Sequence, residues 1–274
     1  MKVESFSIGS KHYINEDRLV VRDMGLLGII AVLADGMGGL SLGDKAADVV
    51  AQSASDFIAT NYLGQDEGSI LHNALGYADK CLRAVSIANK SNMGAAVAIA
   101  IVSSQRLYCT WQGNVRIYVR HDDRVRLITK DHIADIGYGR TALTRCIKGG
   151  GLREDVPFIE SVLETGDDVY LCTDGLYNVA ENTLFNSSIE DIQAIIGTPE
   201  DDASLIKVSI NHAKLNHRRA PSISAGQLLY ESVDADFPER RFHKDFSDGK
   251  CHYPTYRSKQ NLTTTSLGLK YVKV

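Results

Sequence analysis

The chain has 274 residues, of which 44% are hydrophobic and 23% charged, and its formal net charge at pH 7 is −4. This composition is typical of a folded chain with one large domain, or one domain and a tail, and it excludes disordered and collagen-like proteins. The weakly acidic balance argues against nucleic acid as a partner, because sequence-independent binding needs a strongly basic surface.

Cysteine usage and hydropathy predict a cytoplasmic protein with no membrane partner. The five cysteines are scattered, odd in number, and show neither a C-x-x-C pair nor histidines at zinc spacing. Residues 1–10 lack the features of a secretory signal, and no apolar run is long enough to span a membrane.

The first half of the chain changes from helical to alternating hydrophobic spacing. A short buried strand at 29–33 precedes two stretches, 44–58 and 69–89, whose apolar residues recur at helical spacing and predict adjacent helices. Short runs rich in β-branched and aromatic residues then predict an antiparallel meander. Its strands are placed at 95–102, 106–112, 116–120 and 125–129.

The second half mixes both kinds of pattern. The predicted elements are a helix at 141–147, strands at 158–163 and 168–173, helices at 189–196 and 203–216, and a closing strand at 223–232. Runs of strands separated by paired helices favour an α+β domain with layered antiparallel sheets over a strict alternation of strands and helices.

Two of the predicted strands end at an aspartate followed by glycine, Asp35-Gly36 and Asp174-Gly175. A carboxylate directly after a buried strand is poorly solvated and needs a partner such as a cation. For one such loop alone, a tight turn with a side-chain hydrogen bond is an equally good interpretation. Two loops of the same kind favour oxygen ligation of Mg²⁺ or Mn²⁺.

These loops belong to an ordered series of motifs that resembles the metal-dependent type 2C family of protein serine/threonine phosphatases, particularly its compact bacterial members. The resemblance covers roughly residues 7–231. The matching motifs are Asn15-Glu16-Asp17, Ala34-Asp35-Gly36-Met37-Gly38-Gly39, Gly43, Met93-Gly94-Ala95-Ala96, Gly113-Asn114-Val115-Arg116, Thr129-Lys130-Asp131-His132, Leu143-Thr144-Arg145 and Thr173-Asp174-Gly175-Leu176.

The resemblance implies a central sandwich of two antiparallel β-sheets flanked by pairs of α-helices, and a centre of two Mg²⁺ or Mn²⁺ ions. Asp35 would bridge both ions, Glu16 and the Gly36 carbonyl would bind one, and Asp174 would bind the other. Asp17 would orient a metal-bound water that attacks phosphorus directly. The implied partner is a protein phosphorylated on serine or threonine, and we expect the enzyme to be a monomer.

The chain departs from the family pattern at residues that would contact the substrate and a third ion. Where the family commonly has an arginine for the substrate phosphate, this chain has His12 with Lys11 beside it. Either side chain could substitute, and an ordinary surface histidine is an equally good interpretation. Where the family has an aspartate associated with a third ion, this chain has the neutral Asn114, so a third ion should bind poorly.

A further departure concerns the acidic pair that leads into the family's last core strand. We place that position at Arg219-Ala220-Pro221-Ser222-Ile223-Ser224, which contains no acid, so the ion beside Asp174 should bind weakly. Two functions therefore stay open: an active phosphatase with a raised metal requirement, or a pseudophosphatase that binds a partner and catalyses little. We assign residues 1–236 to the phosphatase-like domain and residues 237–274 to a basic extension packed on it.

Overall fold

The computed structural model describes residues 1–37, 42–138, 140–152 and 155–210. The strands in these ranges are β1 (Lys2–Ile8), β2 (Asp17–Asp23), β3 (Ile29–Gly36), β4 (Ala95–Val102), β5 (Arg106–Gln112), β6 (Arg116–His121), β7 (Arg124–Leu127), β8 (Ile133–Gly137), β9 (Arg140–Leu143), β10 (Ile159–Val162), β11 (Asp168–Cys172) and β12 (Ala203–Ser209). The helices are α1 (Gly43–Asn61), α2 (Glu67–Asn89), α3 (Asp174–Leu184) and α4 (Ile189–Ile196). None of these described helices is long and apolar enough to cross a membrane.

Two five-stranded antiparallel sheets form the centre of the described structure. Their strand orders are β1-β12-β11-β6-β7 and β10-β5-β4-β3-β2, and β8 pairs with β9 in a separate hairpin. Helix α1 packs on β3 and on α2, whereas α3 packs on β12 and on α4. The predicted α+β class, with two antiparallel sheets and paired helices, is therefore confirmed.

A large hydrophobic cluster lies between the sheets. Ala31 and Leu33 of β3 contribute to it from one sheet, and Leu171 and Ile206 contribute from the other. The alternate residues of β3, such as Ile30, are also fully buried, and α1 packs on this strand. Because both faces of β3 and β4 are covered, these strands are continuous apolar runs instead of alternating ones.

A second cluster joins α3 and α4 to the outer face of the other sheet. Tyr170 and Leu205 belong to the strands in this cluster, while Leu176 and Ile192 belong to the two helices. Tyr170 is 1% exposed, so the aromatic ring is one of the large side chains that anchor the helix pair.

The predicted meander is wrong at one connection. Strands β4 and β5 pair with each other, as do β6 and β7, but β5 and β6 belong to different sheets. The chain passes from one sheet to the other at Gly113 and Asn114, where Gly113 has a φ of +111° that favours glycine. The turn between the strands was predicted, but turn residues do not indicate whether the next strand joins the same sheet or another one.

The structure also differs from the prediction at three later elements. The segment 141–147 is not a helix, since it contains the end of β9 and then a bridge between Ile147 and Ala95. Residues 203–209 form a strand where we predicted the start of a helix. The prediction failed because a short run that is buried at nearly every position has no hydrophobic period that separates a strand from a helix. Helix α3 was missed, since Asp174-Gly175 was interpreted only as a turn. The predicted strand at 223–232 and the proposed extension at 237–274 lie outside the described residues.

Candidate metal centre

Acidic residues from both sheets converge where the strands end. The register of β2 on β3 places Asp17 opposite Asp35. Thr173, which follows β11 and caps α3, donates a hydrogen bond from Oγ1 to Asp17 Oδ2 at 2.9 Å. This contact joins the two sheets directly in front of Asp174, so the two Asp-Gly loops of the sequence lie at one site.

A cavity of about 300 Å³ opens at this site. It is lined by five carboxylate side chains, together with Asn114, apolar residues of the β8–β9 hairpin and the loop after β3. The acids are Glu16, Asp35, Asp174, Asp201 and Asp202. None of the described lining residues is basic, so the field inside the cavity is strongly negative.

Burial makes these carboxylates costly to ionise. It is the largest cause that raises the pKa of Asp17 to about 8, and the negative charges of Asp202 and Asp174 raise it further, against hydrogen bonds from Ser204 and Thr173. The pKa of Asp35 is raised well above its ordinary value by burial and then by Asp17. Such a cluster is stable only when protons or cations neutralise it.

The same causes act on the two flanking acids. Burial raises the pKa of Asp174, with a further contribution from Asp201, while a hydrogen bond from Asn114 lowers it. Burial, followed by the charge of Asp202, raises the pKa of Glu16. Every one of these carboxyl groups would gain from a nearby cation.

Asp201 and Asp202 correct the sequence analysis. The expectation that no acid precedes the last core strand is wrong for the described residues, because β12 is the last strand among them and this acidic pair stands immediately before it. Asp201 lines the cavity. Asp202 accepts hydrogen bonds from the backbone amides of Ser10 and Glu16, each at 2.6 Å, and so holds the Glu16 segment in place. The pair could have been found by searching for acids before an apolar run, but 203–209 was taken for a helix.

Two glycines allow the Glu16 carboxylate to approach the start of α1. A Cβ on Gly43 would lie 2.5 Å from the Glu16 carboxyl carbon, and one on Gly36 would lie 2.3 Å from the Gly43 carbonyl oxygen. At Gly36 the contact is with backbone, so only glycine fits, whereas at Gly43 any side chain would push the Glu16 carboxylate away. The amide of Gly36 also donates to the Glu16 carbonyl at 3.1 Å. The glycines therefore place Glu16 beside Asp35.

Asn114 occupies the crossover between the sheets and contacts Asp174. Its Nδ2 donates to Asp174 Oδ2 at 2.9 Å, whereas its buried Oδ1 has no hydrogen-bond partner within the described ranges. The Tyr177 hydroxyl donates to the Asn114 carbonyl at 3.1 Å, and the Arg116 guanidinium lies 3.8 Å from the centre of the Tyr177 ring. Helix α3 and β6 thus hold Asn114 in position.

The donor set fits hard divalent ions. Asp17 Oδ1, like Asn114 Oδ1, is a buried oxygen without a partner in the part of the chain that is described, and such an oxygen needs a proton or a cation. No group of three or more His, Cys, Asp or Glu side chains among the described residues is already arranged to hold an ion. Mg²⁺ usually retains several waters and takes only one or two carboxylates, so a dispersed set of acids is compatible with it.

Lys11 and His12 are placed outside the cavity lining. Both are exposed and both contact Glu200, with His12 Nε2 at 3.2 Å from Glu200 Oε2 and Lys11 in an ion pair with the other oxygen. Asp17 is not among the described lining residues either, because it is 2% exposed. Binding of the substrate phosphate by Lys11 or His12 stays a prediction.

Known proteins resemble this chain in sequence and in fold. The sequence pattern of the family described as Protein phosphatase 2C matches residues 9–208. A protein of Mycoplasma genitalium named "Putative protein phosphatase" is 28% identical over 183 residues, which cover 57% of this chain and 70% of that protein.

Solved structures share the fold at low sequence identity. The serine/threonine phosphatase PstP/Ppp of Mycobacterium tuberculosis has a TM-score of 0.66 at 20% identity, covering 77% of this chain and 99% of that one. The serine/threonine phosphatase Stp1 of Staphylococcus aureus has a TM-score of 0.67 at 22% identity, with coverages of 77% and 95%. A PstP catalytic domain in complex with two manganese ions has a TM-score of 0.60 at 21% identity, with coverages of 75% and 96%.

Proposed function

Because this chain belongs to the protein phosphatase 2C family, we propose that it hydrolyses phosphoserine and phosphothreonine in proteins with two divalent ions, Mg²⁺ or Mn²⁺. One observation carries the proposal: the candidate cavity is lined by five carboxylates and by no described basic residue. A phosphate dianion would be repelled from such a cavity unless cations occupied it first. The manganese ions in the PstP complex support the same choice of cofactor.

The strand-end acids are the proposed ligands. Asp35, Glu16, the Gly36 carbonyl, Asp174 and Asp201 would hold the two ions. When bound, such ions neutralise phosphate charge and supply an activated water for hydrolysis. Asp201 supplies the acid that was expected to be absent beside Asp174, so the ion at Asp174 need not be weak.

The protein groups themselves orient the reactants. Asp17 is proposed to orient the attacking water, because its Oδ1 is a buried acceptor without a partner among the described residues, while Thr173 fixes its other oxygen. Asn114 keeps the Asp174 carboxylate in one orientation through a hydrogen bond of 2.9 Å. Ile133, Thr141 and Leu143 line the same cavity from the β8–β9 segment and would limit the access of bulk water to a bound phosphate.

A pseudophosphatase that binds a phosphoprotein without turnover is the alternative. Two observations favour it: Asn114 is neutral where the resembled family has an aspartate, and no three described acids form a ready ion site. The third argument for this alternative, a missing acidic pair, no longer holds, because Asp201 and Asp202 lie at the site. We therefore place the active enzyme first.

Hydrolysis of an aryl phosphate and of a phosphoserine peptide, with Mn²⁺ titrated, tests the proposal. We expect metal-dependent turnover that Asp35→Asn and Asp174→Asn each reduce by at least about a hundredfold, since each removes an anionic ligand. Asp122→Asn is the matched control, because its side chain is 90% exposed in the turn between β6 and β7. Binding of the peptide by a folded protein without turnover at saturating Mn²⁺ would instead support the pseudophosphatase.

A further inference from the structure

A second cavity, of about 180 Å³, lies beside the acidic one and has two basic side chains in its lining. Its lining includes Arg145 and Lys148, together with Gln112, Thr144 and Cys146, and it contains no acid among the described residues. Leu143 lines both cavities, so the two sites are neighbours. One molecule could therefore place a group in each of the two cavities.

Gln112 lines this second cavity and carries a buried donor without a hydrogen-bond partner among the described residues. The residue ends β5 and is 3% exposed, and its Nε2 has no hydrogen-bond partner within the described ranges. A buried amide donor without an acceptor is unfavourable, and a bound ligand, ion or water is one way in which folded proteins satisfy such a group. An incoming oxygen atom would satisfy this donor.

The two basic side chains, Arg145 and Lys148, differ in whether an acidic residue already pairs with them. Arg145 is already held by Asp155, whose carbonyl oxygen lies 3.0 Å from Nη1 and whose carboxylate contacts Nη2. Lys148 forms no ion pair with any described acid. Lys148 is exposed, so its ammonium group can pair with an anion that enters the cavity.

The wall that carries Lys148 is held rigidly. The amides of Gly149 and Gly151 donate to the two carboxylate oxygens of Asp79, at 2.7 and 2.8 Å, and Asp79 is 4% exposed on α2. On the other side of Lys148, Ile147 exchanges two backbone hydrogen bonds with Ala95 of β4, at 3.0 and 2.9 Å. A binding site on a fixed wall loses little conformational entropy when its ligand arrives.

We propose that the second cavity is a subsite for an anionic group, a carboxylate or a phosphate, which the protein substrate carries near its phosphorylated residue. The inference rests on the proposed phosphatase function for the identity of the substrate. Lys148 supplies the charge and Gln112 the hydrogen bond, while Arg145 and Thr144 complete the polar lining. The chain would then prefer phosphoproteins with acidic or additional phosphorylated residues beside the site of hydrolysis.

The test uses phosphoserine peptides that differ only in one glutamate, moved position by position along both sides of the phosphoserine, each paired with the glutamine version. For at least one position we expect a KM about tenfold lower for the glutamate peptide, the scale of one charge-assisted hydrogen bond. This preference should disappear in Lys148→Gln and in Gln112→Leu. It should persist in the control Lys80→Gln, which removes an exposed charge on α2.

Stability separates a binding role of Gln112 from a structural one. Gln112→Leu removes an unpaired buried donor, so its thermal unfolding temperature should be equal to or above that of the natural chain while the glutamate preference is lost. Equal KM values for glutamate and glutamine peptides at every position in the natural chain would overturn the proposal. It would also be overturned if inorganic sulfate bound in a Lys148-dependent manner while the peptides showed no preference, because the site would then serve free anions.

Failure of the subsite and failure of the proposed function give different results. Absence of aryl phosphate hydrolysis by the natural chain counts against the function alone. In that case fluorescence anisotropy of the labelled peptides measures the same glutamate preference as a ratio of dissociation constants. A ratio near one in the natural chain would overturn the subsite, and a ratio of about ten that Lys148→Gln abolishes would support it.

Discussion

Asp17→Asn should stabilise the metal-free protein at neutral and alkaline pH while lowering turnover. Asp17 is 2% exposed, its Oδ2 accepts a hydrogen bond from Thr173 Oγ1 at 2.9 Å, and burial raises its pKa to about 8 in the folded chain. An unfolded aspartate has a pKa of about 3.9, so between these two values the folded state binds a proton that the unfolded state has lost. The stability of the metal-free chain therefore falls as pH rises from about 4 to about 8.

The size of the effect follows from the shift. At about 1.4 kcal/mol per pKa unit, a rise from 3.8 to about 8 corresponds to on the order of 5 kcal/mol, part of which is shared with the neighbouring acids Asp202 and Asp174. The substituted asparagine side chain would carry no charge at any pH, so the variant should lose much less stability across this range. Asp35 and Asp174, whose pKa values are also raised, would account for the remaining dependence.

Urea unfolding in a chelator, at several pH values between about 5 and 8, measures this dependence. Addition of Mn²⁺ at the upper end should restore the natural chain, because a ligand at a hundred times its dissociation constant stabilises by about 2.7 kcal/mol. Asp122→Asn, on the exposed turn, should behave like the natural chain. The same pH dependence in the natural chain and in Asp17→Asn would refute the assignment of a buried, neutralised carboxyl group at this position.

Three further predictions concern Asp201, which is a proposed ligand, and two residues that position Glu16. Asp201→Asn should raise the Mn²⁺ concentration needed for half-maximal turnover by about tenfold, at unchanged thermal stability, and an unchanged metal requirement would remove Asp201 from the ligand set. Asp202→Ala leaves the amides of Ser10 and Glu16 without their acceptor, so urea unfolding should show a loss of about 1–3 kcal/mol per unpaired group, and no loss would contradict the hydrogen bonds. Gly43→Ala should displace the Glu16 carboxylate and weaken Mn²⁺ binding measured by calorimetry, while circular dichroism shows α1 intact; normal affinity would contradict the close approach.

Local signals predicted the elements whose burial pattern is clear from the sequence. Helices α1 and α2 each bury one face, so their apolar residues recur at helical spacing and both were found. Strands β4 and β5 lie where they were predicted, since turn residues bound them closely. The Asp-Gly endings at Asp35 and Asp174 were found for a similar reason, because a charged residue directly after a buried strand is unusual enough to be noticed.

Other features had no local signal that could decide them. Strand β12 is buried at almost every position, so its sequence has no period that separates a strand from a helix, and the acidic pair before it was overlooked with it. The passage from one sheet to the other at Asn114 could not be predicted either, because the same turn residues also connect strands within one sheet.

The sequence by itself indicated Asp35 and Asp174 as candidate cation ligands, since a carboxylate directly after a buried strand is poorly solvated. Only the tertiary structure decided that they share one cavity. Sheet order makes β12 the neighbour of β11, and this neighbour brings Asp201 to Asp174; the contact of Thr173 with Asp17 then joins both to Asp35. The basic cavity beside them also depends on residues far apart in the chain, Gln112 and Lys148, so no local pattern could have indicated it.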